Sequence, residues 1–262
     1  MSSAPATQPS GSGRGRRLAI VGVVGTLAAI LIGVFLVWLV FFSSEAPEAP
    51  TIEGAAAVLD ASPPAGAPRE TGKATGTGAG TDGTWVVDTS IGNAAGGGGF
   101  VGFRVAEVLD LIGATEAIGR TSAVSGELQL EGSTLKSASI EADLRGLVSD
   151  QPRREPAIHR ALQTRDFPMA RFESSAPVDL GVIPSGGETW AVSVPGTLTV
   201  RGISQGVNAD MRARLIDDVV AVVGSLPVDF TSFGITMPSA PIVVSVEDSG
   251  DLEWQLFFRR EG

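Results

Sequence analysis

The 262-residue chain has no cysteine and no tyrosine, and it has a single histidine, His159. Without cysteine it cannot form disulfides, bind zinc through thiolates, act as a thiol enzyme or carry a cysteine-linked lipid anchor. One histidine also excludes metal sites built from several imidazoles. Basic residues are few: 19 Lys and Arg stand against 29 Asp and Glu, a net charge of −10. A general nucleic-acid-binding protein needs a basic surface, so nucleic acid is excluded as a partner.

The longest uncharged apolar run covers residues 18–42, in which Thr26 is the only side-chain hydroxyl. As a helix this run extends roughly 37 Å, enough to cross a hydrocarbon core of about 30 Å. It exceeds the apolar region of about 7–15 residues that a cleaved signal peptide has. It ends in Trp38, Phe41 and Phe42, which suit the membrane interface. The run predicts an uncleaved, single-pass transmembrane anchor.

The positive charges that precede this run predict its orientation. Three arginines precede it: Arg14, Arg16 and Arg17. The positive-inside rule then places residues 1–17, a disordered tail, in the cytoplasm and everything after residue 42 outside the cell membrane. Three small residues recur every four positions along one helix face: Gly25, Ala29 and Gly33. This spacing permits close packing of two spans, which leaves a homodimer open.

The segment after the run, residues 43–82, contains five prolines and six glycines and shows no apolar period. Such a composition buries too little surface to offset the entropy of ordering, so it predicts a flexible linker. The remaining residues, 83–262, have the length of one globular domain.

Within this domain, apolar and polar residues alternate with a period of two. In 252–259, for example, Leu252, Trp254 and Leu256 share one face, while Glu253 and Gln255 share the other. This pattern indicates antiparallel strands with one buried and one hydrated face. Strands are predicted in this way at 84–89, 100–107, 126–131, 140–145, 170–179, 190–194, 196–201, 208–215, 219–230, 241–247 and 252–259.

Two stretches of the domain depart from this period. Residues 151–166 contain Pro156, which can open a short helix. The glycine run 96–99 predicts an exposed loop or a hairpin bulge.

A sheet of this many amphipathic strands must avoid exposed edges. Closure of the sheet into a barrel removes its edges. The predicted fold is therefore mainly β: an antiparallel eight-stranded barrel with a short helical segment, preceded by one transmembrane helix. A barrel of eight strands is wide enough either to be filled by side chains or to hold one slender ligand. Periodicity does not decide between these two interiors.

Short motifs along the domain follow the order seen in one known family. They are WVVDTS at 85–90, FRV at 103–105, VSGEL within 124–132, Arg154-Glu155 with Ile158 and Leu162, FPMARFES at 167–174, GTLTVRGI at 196–203 and FGI at 233–235. In this order, the domain resembles the YceI-like family of lipid-binding, lipocalin-like barrels. Two histidines of the family pattern are missing. Thr89 replaces the first, and Ala106 and Glu107 lie near the position of the second.

The resemblance implies a barrel whose apolar interior holds a polyisoprenoid or another long-chain lipid tail. Such a tail needs aromatic and branched aliphatic walls, and its burial contributes roughly 25 cal/mol per Å². For any single residue, ordinary core packing is the simpler interpretation. The candidate ligand-binding residues of the barrel interior are Phe100, Phe103, Leu128, Ile140, Phe167, Phe172, Trp190, Leu198, Met211, Phe233 and Trp254.

Three polar residues have competing interpretations. Arg154 and Arg201 match family positions and either form ion pairs that pin the helix to the barrel, which we favour, or meet a lipid phosphate. His159 is predicted to be a solvated helix residue, and no metal or cofactor is expected. No G-x-S-x-G motif is present, and we expect no enzymatic activity.

Together these patterns predict a bacterial cell-envelope protein, anchored by residues 18–42 in the cell membrane, whose extracytoplasmic barrel binds an isoprenoid or other long-chain amphiphilic lipid. The alternative is a tethered structural or interaction module with a filled barrel core and no ligand.

Overall fold

The computed structural model describes Ile32 and residues 46–61, 81–92, 97–110, 112–181 and 187–261. The chain divides into two compact units, Met1–Glu45 and Ala46–Gly262, and the elements named below belong to the second. The predicted cytoplasmic tail, 1–17, and the predicted span, 18–42, lie outside the described residues apart from Ile32. Among the helices that are described, none combines the length and apolar character needed to cross a membrane.

The described part of the second unit contains thirteen strands, two α-helices and three short 3-10 helices. The strands are β1 (Gly83–Val87), β2 (Phe100–Leu109), β3 (Gly113–Thr121), β4 (Val124–Glu131), β5 (Thr134–Asp143), β6 (Val148–Ser149), β7 (Met169–Ser174), β8 (Val178–Asp179), β9 (Thr189–Val200), β10 (Ile203–Ile216), β11 (Val219–Asp229), β12 (Val243–Val246) and β13 (Ser249–Arg260). The helices are α1 (Ile52–Ala61) and α2 (Glu155–Leu162), and the 3-10 helices are Leu144–Gly146, Pro152–Arg154 and Phe230–Phe233.

Eight of these strands close into an antiparallel barrel. Their order is β1-β4-β5-β7-β9-β10-β11-β13, and β13 pairs back to β1. Beyond its pairing with β1, β13 also pairs with β2, which in turn carries β3 and β12. The predicted mainly β architecture, a closed eight-stranded antiparallel barrel with a short helix, is confirmed.

One end of the barrel, the closed end, is filled by side chains. It lies where β9 turns into β10 and where β11 runs into the 3-10 helix Phe230–Phe233. A buried cluster occupies it, comprising Val105, Ala117, Leu198, Val200, Val228, Phe230, Phe233 and Ile235. Ala161 and Leu162 of α2 pack against this cluster.

Residues 46–61 pack on the outer wall of the barrel, and we call them the strap. The prediction that 43–82 form a flexible linker is wrong for this part. The side chains of Ile52 and Ala55 are 1% and 0% exposed, because α1 covers the outward face of β11 and the neighbouring Phe257 of β13. Thr81 and Asp82 of the predicted linker are also described, whereas its residues 43–45 and 62–80 lie outside the described residues.

The physical reason is the apolar run 219–223, VVAVV, in β11. Its even-numbered residues face the barrel interior, and its odd-numbered residues, Val219, Ala221 and Val223, face outward. A strand that is apolar on both faces requires cover on both. The outward three are at most 4% exposed with the strap in place.

Two arginines on the outer wall bind the first residues of the strap. Arg104 Nη2 donates to the carbonyl of Pro47 (2.6 Å), and Arg120 Nη2 donates to the carbonyl of Glu48 (2.8 Å). Both guanidinium groups also bind the carboxylate of Glu253, whose side chain is only 2% exposed. The buried charge is therefore paired twice, and the two arginines are held in place to bind the strap backbone.

The glycine-rich segment before β2 lies beneath α1. Gln255 Nε2 donates to the carbonyls of Gly97 (2.5 Å) and Gly98 (3.3 Å). Gly92 has φ +72°, and a Cβ there would lie 2.7 Å from Gly98 Cα and 3.0 Å from Val58 of α1. Only glycine permits this close approach. Although Gly97 is exposed, as the loop prediction expects, the segment is fixed by β13 and α1.

Candidate functional site

A cavity of about 150 Å³ occupies the barrel interior. Twenty-four residues line it, and every lining side chain is apolar apart from Thr81. Among the described residues, no charged side chain belongs to this wall. The described residues thus offer a concave surface suited to hydrocarbon and poorly suited to polar groups.

Strand alternation produces this wall. In β10, Ala213 and Leu215 point into the cavity. The alternate residues Arg212 and Arg214 point outward. Small and large residues face each other across neighbouring strands. Gly224 of β11 lies directly against the ring of Trp254 on β13, where no side chain would fit.

The cavity reaches the end of the barrel opposite the closed end, and we call this the open end. Four lining residues each stand one position from a strand terminus there: Leu130, Leu135, Trp190 and Leu215. Thr81 lies at the same rim, where its carbonyl accepts a hydrogen bond from Trp85 Nε1 (2.8 Å). The single polar lining residue is therefore at the open end and not in the depth of the cavity.

The structure brings seven of the eleven predicted ligand-binding residues together at this cavity: Leu128, Ile140, Phe172, Trp190, Leu198, Met211 and Trp254. Four predicted residues lie elsewhere: Phe100, Phe103, Phe167 and Phe233. For these four, the prediction that they line the cavity is wrong.

Each of the four has a physical reason for its position. Phe100 pairs with Gln255 on the outer face, and the Arg120 guanidinium carbon lies 4.1 Å from its ring centroid. Phe103 and Phe233 point inward but belong to the packing of the closed end, and Phe233 is 2% exposed. Phe167 follows α2 and is 38% exposed.

Some cavity residues were not singled out by the sequence patterns. Leu130, Leu135, Leu180 and Leu215 line the cavity near its open end. The alternation along 126–131 already places Leu130 on the same face as Leu128, so this signal was available.

Arg154 forms the ion pairs that the sequence predicts. Its Nη1 lies 3.0 Å from both carboxylate oxygens of Asp150, and its Nη2 donates to Glu107 of β2. The two carboxylate side chains are 6% and 4% exposed. Arg154 thus joins the start of α2 to the barrel. Burial raises the pKa of Glu107, the positive charge of Arg154 opposes this rise, and the negative charge of Asp150 adds to it.

Arg201 and His159 differ from their predictions. Arg201 donates to the carbonyl of Gly234, not to a carboxylate, and so links the β9–β10 turn to the 3-10 helix Phe230–Phe233. His159 is half-buried, and its Nδ1 lies 3.1 Å from Thr164 Oγ1. In the described ranges, no three His, Asp or Glu side chains are grouped so that they could hold a metal ion.

A closed antiparallel barrel around an apolar cavity is the architecture of small barrels that bind slender apolar ligands. The YceI-like domain model matches residues 85–258, well over half of the chain. The protein therefore belongs to the YceI-like domain family. No curated protein matches the chain.

Several solved structures resemble it. A polyisoprenoid binding domain from Saccharophagus degradans, implicated in plant cell wall breakdown, matches with a TM-score of 0.52 and 17% identity, over 68% of this chain and 98% of that chain. BcnA from Burkholderia cenocepacia has a TM-score of 0.44 and 19% identity, over 61% and 95%. The YCEI protein from Campylobacter jejuni has a TM-score of 0.44 and 12% identity, over 55% and 85%. At these identities, the first match shows a shared fold.

Proposed function

We propose that this protein is a membrane-anchored, extracytoplasmic binding protein that holds the tail of an isoprenoid or other long-chain lipid in its barrel cavity. The observation that carries the proposal is the cavity wall, which is apolar at every position except Thr81. Membership of the YceI-like family and the shared fold with a polyisoprenoid binding domain support the same ligand class. Carriage, storage and sensing of the lipid are all compatible with such a site.

The wall composition selects the part of the ligand that enters. Each buried methylene contributes about 0.8 kcal/mol, so a hydrocarbon tail gains from every carbon that leaves water. A hydroxyl or charged group deep in the cavity would lose its hydrogen bonds to water and find no partner in the wall. The head group therefore stays at the open end, near Thr81. Within the described ranges, the wall offers a lipid tail apolar contacts and no acidic or basic side chain.

The apolar run 18–42 supports the proposed anchoring. It is long enough to span a bilayer, and the arginines before it favour a cytoplasmic N-terminus. A sparingly soluble lipid is found in the bilayer, so an anchor keeps the binding site close to its source.

The test is lipid extraction from the purified full chain. We expect an organic extract of protein prepared in mild detergent to contain a near-stoichiometric isoprenoid or acyl lipid, identified by mass spectrometry. An extract without lipid, together with no uptake of added polyprenol, would contradict the proposal and favour a filled structural module.

A further inference from the structure

Three leucines form the floor of the barrel cavity, and we call them the leucine floor. Leu198 of β9, Leu226 of β11 and Leu252 of β13 each line the cavity and also belong to, or pack against, the buried cluster of the closed end. Leu226 and Leu252 are direct partners in the ladder between β11 and β13. A hydrocarbon tail that enters at the open end therefore ends against these aliphatic side chains.

The 3-10 helix Phe230–Phe233 closes the barrel beneath the leucine floor, and we call it the plug. Phe230 follows Leu226 by four residues along the chain, on the side away from the cavity, and its ring packs edge-to-face against Phe103 with 6.3 Å between the centroids. The Asp229 carboxylate fixes the start of the plug, because it accepts a hydrogen bond from the backbone N–H of Thr231 (2.8 Å). Close-packed interiors resist added volume, so a tail that reaches the floor does not extend into the plug.

The strand positions of the lining residues give the depth of the cavity above the floor. The wall spans six positions of β11, from Val220 to Leu226, and eight positions of β9, from Trp190 to Leu198. At about 3.3 Å per residue, these stretches cover about 20–26 Å of strand. Strands of a closed barrel tilt by about 35–45° from the barrel axis, which leaves a depth of about 15–20 Å.

This depth corresponds to a tail of limited length. An extended carbon chain with bonds of about 1.5 Å advances about 1.25 Å per bond, so the cavity accommodates about 12–16 carbons, or about three or four isoprene units of four main-chain bonds each. A barrel of eight strands holds one slender ligand, and Trp190, Met211 and Trp254 occupy part of this interior. A longer tail therefore lacks the width in which to fold back on itself.

We infer that the leucine floor makes this protein selective for the length of the lipid tail: affinity increases with each carbon until the tail reaches the floor, and not beyond. The inference rests on the lipid binding proposed above, and it narrows the ligand class to amphiphiles whose tail has about 12–16 carbons in its main chain. A much longer polyprenyl chain binds through its terminal part alone, and the remainder stays outside the open end. The wall is apolar from the rim to the floor, so the position of the floor sets the limit.

Substitutions at two depths of the cavity test this limit. Leu226→Ala shortens a floor side chain and so deepens the cavity. Ala209→Leu makes the cavity shallower, because Ala209 is the deepest cavity-lining residue of β10. Leu135→Ala is the matched control for Leu226→Ala, since Leu135 lines the cavity at the open end, where the same substitution removes wall area without changing the depth.

The probes are 1-alkanols in a series from about 8 to 22 carbons, which brackets the inferred limit. Each is titrated into delipidated full-length protein in mild detergent, and binding is followed through the fluorescence of Trp190 and Trp254. Equilibrium dialysis gives the share of each alkanol in micelles, so that affinities refer to free alkanol. Thermal unfolding establishes that each variant is folded, and two floor variants guard against one that is not.

For the intact protein, we expect affinity to rise at least about twofold with each added carbon up to about 12–16 carbons, and to change by less than about twofold over the following four. Ala209→Leu should move this plateau to shorter alkanols by about three carbons, and Leu226→Ala should move it to longer ones by a similar amount. Leu135→Ala should weaken the binding of every alkanol and leave the plateau in place.

Affinity that rises steadily to the longest alkanol would overturn the inference and leave lipid binding intact. A plateau that neither floor variant moves, or that Leu135→Ala moves as far as Leu226→Ala does, would do the same. If neither the alkanols nor a polyprenol binds at all, the proposed function is contradicted and the inference fails with it.

Discussion

Excision of residues 46–61 from the full chain is expected to lower the free energy of unfolding of the barrel by about 5 kcal/mol or more. The excision exposes the outward face of β11 and the side chain of Phe257, which is 0% exposed in the intact protein. Full burial of one such side chain contributes about 1.5–3 kcal/mol. The excision also leaves Arg104 and Arg120 without the strap carbonyl groups to which they donate hydrogen bonds. Since most domains have only about 5–15 kcal/mol of stability, the loss is large enough to unfold or aggregate the barrel.

Urea unfolding followed by tryptophan fluorescence measures this effect. Two point variants separate the loss of packing contacts from the effect of removing a chain segment. Ile52→Ala, at a position 1% exposed, should cost about 2–4 kcal/mol. Glu53→Ala, exposed on the same helix, should change stability by less than about 0.5 kcal/mol. Equal unfolding midpoints for the intact and excised proteins would show that the strap is not part of the fold.

Replacement of Arg154 by glutamine is expected to cost about 3 kcal/mol at pH 7. The substitution leaves Glu107 and Asp150, both nearly buried, without the cation that pairs with them. Removal of one partner from a buried ion pair is strongly destabilising because the other charge stays buried and uncompensated. Arg160→Gln is the matched control, because Arg160 is on the same helix but exposed, and should change stability by less than about 0.5 kcal/mol.

This loss should depend on pH. Burial holds the pKa of Glu107 above its ordinary value, and removal of Arg154 takes away the effect that opposes the rise. A carboxyl with a raised folded-state pKa binds a proton more tightly when folded, so its protonation favours the folded state. The deficit of Arg154→Gln should therefore be small below about pH 4 and grow as pH rises through the folded pKa of Glu107. A deficit that is constant from pH 4 to pH 7 in urea titrations would contradict this account of the pair.

Much of the barrel could be predicted from alternation, because amphipathic strands such as 252–259 carry a clear period of two. Missing from the predicted strands is all of β3, whose residues 113–121 are mainly small and show little apolar contrast. The strap was missed for a related reason. Its alanine-rich helix has little apolar period of its own, and its signal lies in the two-faced apolar run 219–223, far along the chain.

In the candidate site too, the residues on strands with a clear period could be predicted, and the others could not. Residues on regular strands, such as Met211 and Trp254, were assigned to the interior from period alone. Phe100 and Phe103 stand three residues apart in one strand, so a period of two already places them on opposite faces. Aromatic type alone therefore does not distinguish an inward residue from one on the outer face. Whether an inward side chain lines the cavity or fills the closed end depends on the 3-10 helix Phe230–Phe233, whose packing no local pattern shows.

A single binding measurement decides whether the barrel cavity holds a lipid tail. Ala213 faces the cavity opposite Trp190, and the neighbouring Ala191 is exposed on the outer wall opposite Arg212. Delipidated full-length protein and the variants Ala213→Phe and Ala191→Phe are titrated with a polyprenol, and binding is followed through the cavity tryptophans. Thermal unfolding of each variant first establishes that it is folded.

We expect the intact protein and Ala191→Phe to bind with affinities within about twofold of each other. Ala213→Phe, whose ring occupies cavity volume, should bind at least about tenfold more weakly, a difference of about 1.4 kcal/mol. Equal binding by both variants would place the lipid outside the cavity. No binding by the intact protein would contradict the assignment of the barrel as a lipid-binding site.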